Sequence, residues 1–531
     1  MCNLNELLRD HVTLDIESLD RLYLNGYVPN LQTGGQLVQF LHQRGWSIPS
    51  PVLLERLTKG YVRAVKDFAE SQSIPLIKFE PGERKDDVVA SYRQQFTKPE
   101  GVVVIGVAQE KAYAFKGSKK QQTGPVGFDY SRQSVYVNHY YFYLQDVDFG
   151  PAFIKVCTYA PYPVKVYLNG HEWAKQQLGQ AGLSFEALDN GFASCADPVR
   201  LQAVCDQLGP AQVQAFFDKW RKVLPWPLSP QDEAAGYVHH LSLWQVEVSR
   251  TQVFADPIQG RTFFETIIRD NLDLGRPDRV QLLFDRKIIK STPGQFRTCV
   301  IEEGVNPSLH LDYKKCHVKQ YFKEGRALRT ETTINDPQDF GSNKALRHLP
   351  FLQQIGRQVN RRLLDVQRFS HDCSLSAASV ERLVHPTDTN SGQRAPGLRL
   401  GDLRVMALLA ALTLFVHQIN GFRHADLRKT VASLLGVPLA EYTSSQMTYD
   451  LRRLRLKGLI WRVPNHHAYR VTSYGLNVAL FLTRVNARLL QPGFAALQPE
   501  QAIPPPLAEA FRQVNLEIDR LVDEAYLAKA A

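Results

Sequence analysis

The stretch Thr443–Thr472, TSSQMTYDLRRLRLKGLIWRVPNHHAYRVT, constrains this chain more than any other. It reads as a helix, a tight turn and a two-stranded hairpin. Ser444 or Ser445 is expected to cap the helix, because a serine oxygen accepts a bond from an otherwise unpaired backbone N–H. Met447, Leu451 and Leu454 recur at helical spacing and form a narrow apolar stripe that packs on neighbouring helices. Arg452, Arg453 and Arg455 fall mostly off that stripe, facing solvent or a polyanion. Gly458 ends the helix where a left-handed residue is wanted. Ile460–Val463 and Tyr469–Thr472 are short strands around Pro464-Asn465-His466-His467. Two helices precede this unit, Asp402–Phe415 and Ala425–Leu435, the second closed by Gly436 and Pro438.

This pattern resembles a winged-helix DNA-binding domain over residues 398–490. The resemblance implies that 444–457 is the recognition helix and 460–472 the wing. Arg452, Arg453, Arg455, Arg462 and His466 would then meet nucleic acid, most simply double-stranded DNA. Winged helices also serve as protein–protein modules. Arginines on the reading helix favour nucleic acid, since guanidinium suits both phosphate and guanine edges.

The remaining chain is long enough for further folded parts. Its 531 residues are 44% hydrophobic and 22% charged, an ordinary globular composition. The expected fold class is α/β (α+β): two mixed α/β domains, 1–225 and 236–385, followed by the helical winged-helix domain. Seams are expected at Leu224–Gly236 and Pro386–Gly397, which are rich in turn formers. Residues 504–531 read as an amphipathic helix that docks on the body or on a second subunit, as in a homodimer. Leu507, Phe511, Val514, Ile518, Leu521 and Tyr526 form its apolar side. The net charge of +10 favours a polyanionic partner. No apolar run of about 18 residues is present, so no membrane span is expected. The opening NLNELLRDHVTLDI carries charges where a signal peptide needs its apolar core. Seven scattered cysteines without a Cys-x-x-Cys pair fit buried thiols in a cytoplasmic, bacterial setting.

In the N-terminal part, Leu53–Ser71 is expected to be helical, and Gly101–Val107 with Ala112–Lys116 a hairpin. From Val135 to Asp189 the order is strand–strand–strand–helix–strand, which resembles the opening of ribonuclease-H-like nucleases and transposases. That resemblance implies catalytic carboxylates at Asp146, Asp148, Glu172 and Asp189. Asp148 and Asp189 would hold Mg or Mn, since hard cations want oxygen ligands. The alternative is structural: Asp146 and Asp148 as turn residues, and Asn169 with Glu172 as a helix cap. Glu83-Arg84-Lys85 is similar to a motif of flap endonucleases, but sits in a charged loop.

The central part carries a basic hairpin, HVKQYFKEGRALRTETTIND (317–336). Strand alternation puts His317, Lys319, Tyr321 and Lys323 on one side, suited to a phosphate backbone and a stacked base. His310, Asp312 and Tyr313 lie nearby, and a tyrosine near histidines resembles replication-initiator and relaxase nucleases, although His310-x-Asp312 departs from their His-x-His motif. An exposed basic edge that discourages aggregation is the plain alternative. The helix of about 344–370 adds Arg357 and Arg361 on one face. QVEVSRTQVF (245–254) and RTETTINDPQDF (329–340) echo each other, each with a glutamate, Glu247 or Glu331, among β formers.

The expected function is nucleic-acid binding through a winged-helix reader. To this would be added metal-dependent phosphodiester hydrolysis or strand transfer of the kind found in mobile elements. The alternatives are a non-enzymatic DNA-binding regulator or scaffold, and an RNA-binding protein that stacks unpaired bases on strands such as 136–143.

Overall fold

The structure is a computed structural model that describes residues 11–119, 127–258, 298–303, 306–371, 377–388, 392–399, 401–413, 422–463 and 467–486, with scattered residues of 260–265 and 509–520. The chain divides into two compact units, Met1–Leu364 and Asp365–Ala531. It is a mixed α and β protein. Among the described residues no helix is long and apolar enough to cross a membrane. The apolar side expected for 504–531 lies outside the described residues.

Among the described residues, the first unit is built on an eleven-stranded sheet. Its strands are β1 (Val12–Tyr27), β2 (Leu76–Lys78), β3 (Gly101–Lys119), β4 (Phe128–Asp146), β5 (Gly150–Cys157) and β6 (Val164–Asn169). Two short strands, β7 (Phe185–Leu188) and β8 (Gly191–Cys195), form a separate hairpin. The sheet resumes with β9 (His240–Phe254), β10 (Thr298–Glu303), β11 (Asn306–Tyr313), β12 (Cys316–Lys323) and β13 (Ala327–Ile334). The spatial order is β10-β11-β12-β13-β9-β1-β6-β5-β4-β3-β2. Outward from the central β1–β9 pair the order repeats. Each long strand is flanked by the last strand of an antiparallel meander, β3–β6 on one side and β10–β13 on the other. The α/β parts expected at 1–225 and 236–385 therefore share one sheet, joined by the β1–β9 ladder.

Two expectations change. Gly101–Lys119 is one strand, not a hairpin, because Gln109-Glu110-Lys111 pairs with Asn138-Val137-Tyr136 on β4 instead of turning. The strand ending before Asp189 is β7, which pairs only with β8. It does not join the sheet, so the ribonuclease-H-like order of 135–189 is not realised as a common sheet.

Side-chain alternation decides which face is covered. Along β12, Cys316, Val318, Gln320 and Phe322 are buried, whereas His317, Lys319, Tyr321 and Lys323 are half-buried. The helices bearing on this sheet include α1 (Pro51–Ser71), α2 (Lys85–Gln95), α3 (Gly170–Gln180), α4 (Pro198–Gln207), α5 (Pro210–Val223) and α6 (Leu349–His371). Helix α6 closes the Val248 side: Asn360 Nδ2 donates to the Val248 carbonyl at 3.0 Å and Asn360 Oδ1 accepts from Thr332 at 2.6 Å. Gly356 permits this approach, since a Cβ there would stand 2.7 Å from the Val248 Cβ. On the opposite face Glu247 is buried, whereas Glu331 and Tyr321 are half-buried.

In the second unit a helix at Ala377–Val384 precedes a short pairing of β14 (Thr387–Asp388) with β15 (Arg394–Ala395). Helices α7 (Leu403–Leu412), α8 (His424–Leu435) and α9 (Ser444–Leu456) follow, then the hairpin β16 (Ile460–Arg462) and β17 (Tyr469–Val471), and helix α10 (Ser473–Val485). Leu408, Leu427, Met447, Leu451, Leu454 and Val478 share its core. The cap of α9 is Thr443, one residue before the expected serines, in a reciprocal capping box with Gln446. Gly436 and Gly458 take the left-handed backbone expected of helix stops, with φ of 70° and 73°.

Candidate functional site

The acids expected to be catalytic do not meet. Asp146 is buried and accepts from Trp220 Nε1 at 2.7 Å, Lys219 Nζ at 2.9 Å and the backbone N–H groups of Asp148 and Phe149. Burial opposes its ionisation, but these donors outweigh burial and hold its carboxyl below the usual range. It organises the β4–β5 turn. Asp148 faces Gln177 and Gln180, and Glu172 pairs with Lys175 at 2.7 Å. Asp189 enters through its backbone, its N–H bonding Glu324 and its carbonyl accepting from Lys175. Asn169 caps α3 by accepting from the His171 and Glu172 N–H groups. Asp148 and Asp189 belong to no three-acid cluster among the described residues.

Several expected phosphate-facing cations are used internally. Arg357 bonds Asp206 at 2.5 Å and Arg361 grips Glu17 with two bonds of 2.5–2.6 Å, so both tie α6 to other elements of the first unit. In α9, Arg453 is buried and pairs with Asp450 at 3.1 Å, and Arg404 approaches the same carboxylate. Arg452 and Arg455 are exposed, as are Arg462 and Arg470 on the hairpin. His466 lies outside the described residues.

The structure assembles a different set of acids. Oxygens of Asp20, Glu247 and Glu331 lie within 4.8 Å of one another, and no other described residues bring three such groups of Asp, Glu, His or Cys so close. They come from β1, β9 and β13, which are adjacent strands. Between the pairs Leu19–Val248 and Leu22–Val246, β1 sets two residues, Asp20 and Arg21, against the single Glu247. Such a bulge re-aims side chains. Glu331 lies opposite Ser249 and Glu247 opposite Thr333, so the two glutamates are diagonal neighbours on one face. The echoing segments 245–254 and 329–340 lie largely on β9 and β13, which pair antiparallel.

Arg329 organises this set. Its Nη2 bonds Asp20, its Nε donates to Glu331 Oε1 at 2.7 Å, and its Nη1 reaches the Asn190 carbonyl. Asn190 Nδ2 also donates to Asp20 at 2.6 Å, and Tyr321 donates its phenol proton to Glu331 at 2.8 Å. His171 Nε2 stands 3.0 Å from Arg329 Nη2, which only donates, so the ring proton sits on Nδ1. Burial and the Arg329 charge push this imidazole down to about 3, and its buried Nδ1 has no partner.

The three carboxyls differ sharply. Burial opposes ionisation of Asp20, but Arg329 overcomes it and holds the carboxyl at about 2. Burial pushes Glu247 up to about 8, and the charges of Asp20 and Glu331 add to the effect. Arg21 and Arg329 stand against three carboxyls, so the set is neutral when Glu247 keeps its proton. Thr333 bonds one Glu247 oxygen at 3.2 Å, and the bonds to Glu331 all fall on Oε1. One oxygen of each glutamate remains for a cation or a substrate proton. Oxygen-only ligands suit a hard divalent ion such as Mg or Mn.

Lys319 and Tyr321 lie in register with Glu331 and Arg329, so the basic hairpin shares this half-buried face. The Lys319 ammonium stands 4.5 Å over the Tyr321 ring, whereas Lys323 pairs with Glu324 at 3.1 Å. Asp20, Arg21 and Arg329 escaped the sequence reading; the signal was an acid inside the apolar-alternating VTLDIESLDRLYLNGY. Compared with protein-family models, curated proteins and solved structures, the chain has no significant match.

Proposed function

We propose that this chain is a DNA-binding protein whose reader is α9 with the β16–β17 hairpin. The observation that carries the reading is the solvent face of α9. Ser445, Thr448, Tyr449, Arg452 and Arg455 are exposed together, while Met447, Asp450, Leu451, Arg453 and Leu454 face inward. Exposed Trp461, Arg462 and Arg470 extend the same chemistry onto the hairpin. The order of three helices, hairpin and helix supports a winged-helix arrangement. In it, a helix of this length enters the major groove, with guanidiniums on phosphates and base edges. The test is anisotropy with labelled duplex DNA over a range of salt. Arg452→Ala with Arg455→Ala should weaken binding and flatten the salt dependence by about one unit for each phosphate no longer neutralised.

A second reading, metal-dependent phosphodiester cleavage, is favoured by the convergence of Asp20, Glu247 and Glu331 oxygens within 4.8 Å, where burial raises the proton affinity of Glu247. A divalent ion at Asp20, Glu247 and Glu331 would take the Glu247 proton's place and neutralise charge developing on a scissile phosphate, as water adds and the P–O bond breaks. Incubating the protein with duplex and single-stranded DNA, with Mg or Mn, tests it. Cleavage that Glu247→Gln abolishes supports the reading, and intact DNA under every condition contradicts it.

A further inference from the structure

We infer that the half-buried sheet face beside the acidic cluster binds single-stranded nucleic acid by stacking its bases on Tyr23, Trp244 and Tyr167. This deepens the nucleic-acid reading by naming a second class of substrate, carried by the first unit and independent of α9.

The sheet register builds the platform. Tyr23 on β1 pairs with Tyr167 on β6, Tyr167 with Phe153 on β5, and Phe153 with Tyr143 on β4. Directly paired residues share a face, so four aromatic rings form one row across four strands. Ring centroids are 4.9 Å apart for Tyr23–Tyr167 and 5.3 Å for Phe153–Tyr167, the latter pair nearly parallel at 14°. Trp244 joins them through a second irregularity. Tyr23 pairs with Gln245 and Leu24 with Leu243, so Trp244 is the extra residue, placed edge-on to Tyr23 at 5.9 Å. It is 38% exposed.

This row is unlike the core on the other side. Along β6, Val164, Val166 and Leu168 are buried, whereas Lys165 and Tyr167 are half-buried. A merely structural sheet face would cover its rings or replace them with short polar residues. Here Tyr23, Phe153 and Tyr167 are half-buried and Trp244 is exposed, with Tyr143 buried at the far end of the row, and cations are interleaved with the open rings. Lys165 Nζ lies 3.2 Å above the Trp244 ring and enters no ion pair among the described residues. Burial and the Lys155 charge lower its pKa to about 8, which still leaves a cation at neutral pH to meet a phosphate. Arg21 is exposed and sits two residues along β1 from Tyr23, between the aromatic row and the acids.

The chemistry selects the occupant. Aromatic faces accept any unpaired base, and adjacent lysine and arginine meet the phosphates. Duplex DNA has its bases already stacked and offers no π-face to such a row. A strand lying along the row would pass its backbone by Arg21 towards Glu247.

The experiment uses the full chain carrying Arg452→Ala and Arg455→Ala, so that α9 does not contribute. Anisotropy is measured with labelled oligo(dT) and oligo(U) of about 15 nucleotides and with a duplex of similar length. Trp244→Leu with Lys165→Gln, both near the surface, should weaken single-strand binding about tenfold while thermal melting stays unchanged. The two oligonucleotides tell a DNA strand from an RNA strand, and selective loss on either supports the inference. Unchanged affinity, equal loss on duplex, or no single-strand binding by the folded protein overturns it. A protein that binds duplex only through α9 would keep the reader and lose this face, so the two failures are distinguishable.

Discussion

Arg329 on β13 and Asp20 on β1 meet across the intervening strand β9, 309 residues apart in the chain and both without solvent contact. Removing either partner strands the other's charge in the sheet. Arg329→Met should therefore destabilise the first unit by about 3–5 kcal/mol, read by urea unfolding at neutral pH. Arg329→Met with Asp20→Asn should recover part of that loss. Because Asp20 titrates at about 2 when folded, below its ordinary 3.8, the pair's contribution is full above about 4 and is lost as pH falls through 2. Equal stability of wild type and Arg329→Met would remove Arg329 as the organiser of the site.

Glu247 has the opposite sign. Its folded carboxyl titrates at about 8, above the ordinary 4.5, so the folded protein holds a proton that the unfolded chain releases. Stability should fall as pH rises from about 4.5 to about 8. Glu247→Gln mimics the protonated form and should raise the melting temperature more at pH 9 than at pH 6. A uniform effect of Glu247→Gln at both pH values would contradict the shifted acidity.

A divalent cation at this cluster must displace that proton. Mn affinity, followed by calorimetry, should rise about tenfold per pH unit below 8 and level off above it. Proton release should accompany binding, and Glu247→Gln should abolish both. Mn binding with no proton release, or none at all, would leave the cluster a structural ion-pair network.

Much of the first unit was legible because alternation is a local signal. The expected hairpin over 317–336 appears as β12 and β13, with Glu324-Gly325 in the turn between them. The site was not legible, because it depends on pairing distant segments. Asp20 lies in β1, where the bulge shifts the alternation and a buried acid interrupts it. Nothing local to Arg329 shows that its partner is near the amino terminus. Arg357 and Arg361 read as a cationic face because the acids that neutralise them, Asp206 and Glu17, sit on α4 and β1.

The inward turn of Arg453 follows from helical spacing. Asp450, Arg453 and Lys457 fall on one side of α9, next to the Met447–Leu451–Leu454 stripe. Lys457 Nζ donates to the Arg382 and His385 carbonyls at 2.7 and 2.6 Å, which satisfies its charge below the surface. Arg453→Ala should consequently lower the stability of the second unit by about 1–3 kcal/mol, as expected for a buried charge-assisted bond. A lower melting temperature for the transition of this unit would report it. A change in duplex affinity with no change in melting would instead place Arg453 at the DNA.

DNA recognition by this chain depends on cations of α9 that are free to meet phosphate. The most direct measurement is the salt dependence of duplex binding by wild type and by the Arg452→Ala, Arg455→Ala protein. The prediction is a steep decline in wild-type affinity with salt, and a weaker, shallower dependence in the variant at unchanged stability. Superimposable curves for the two proteins, or no duplex binding by folded wild type at low salt, would contradict it.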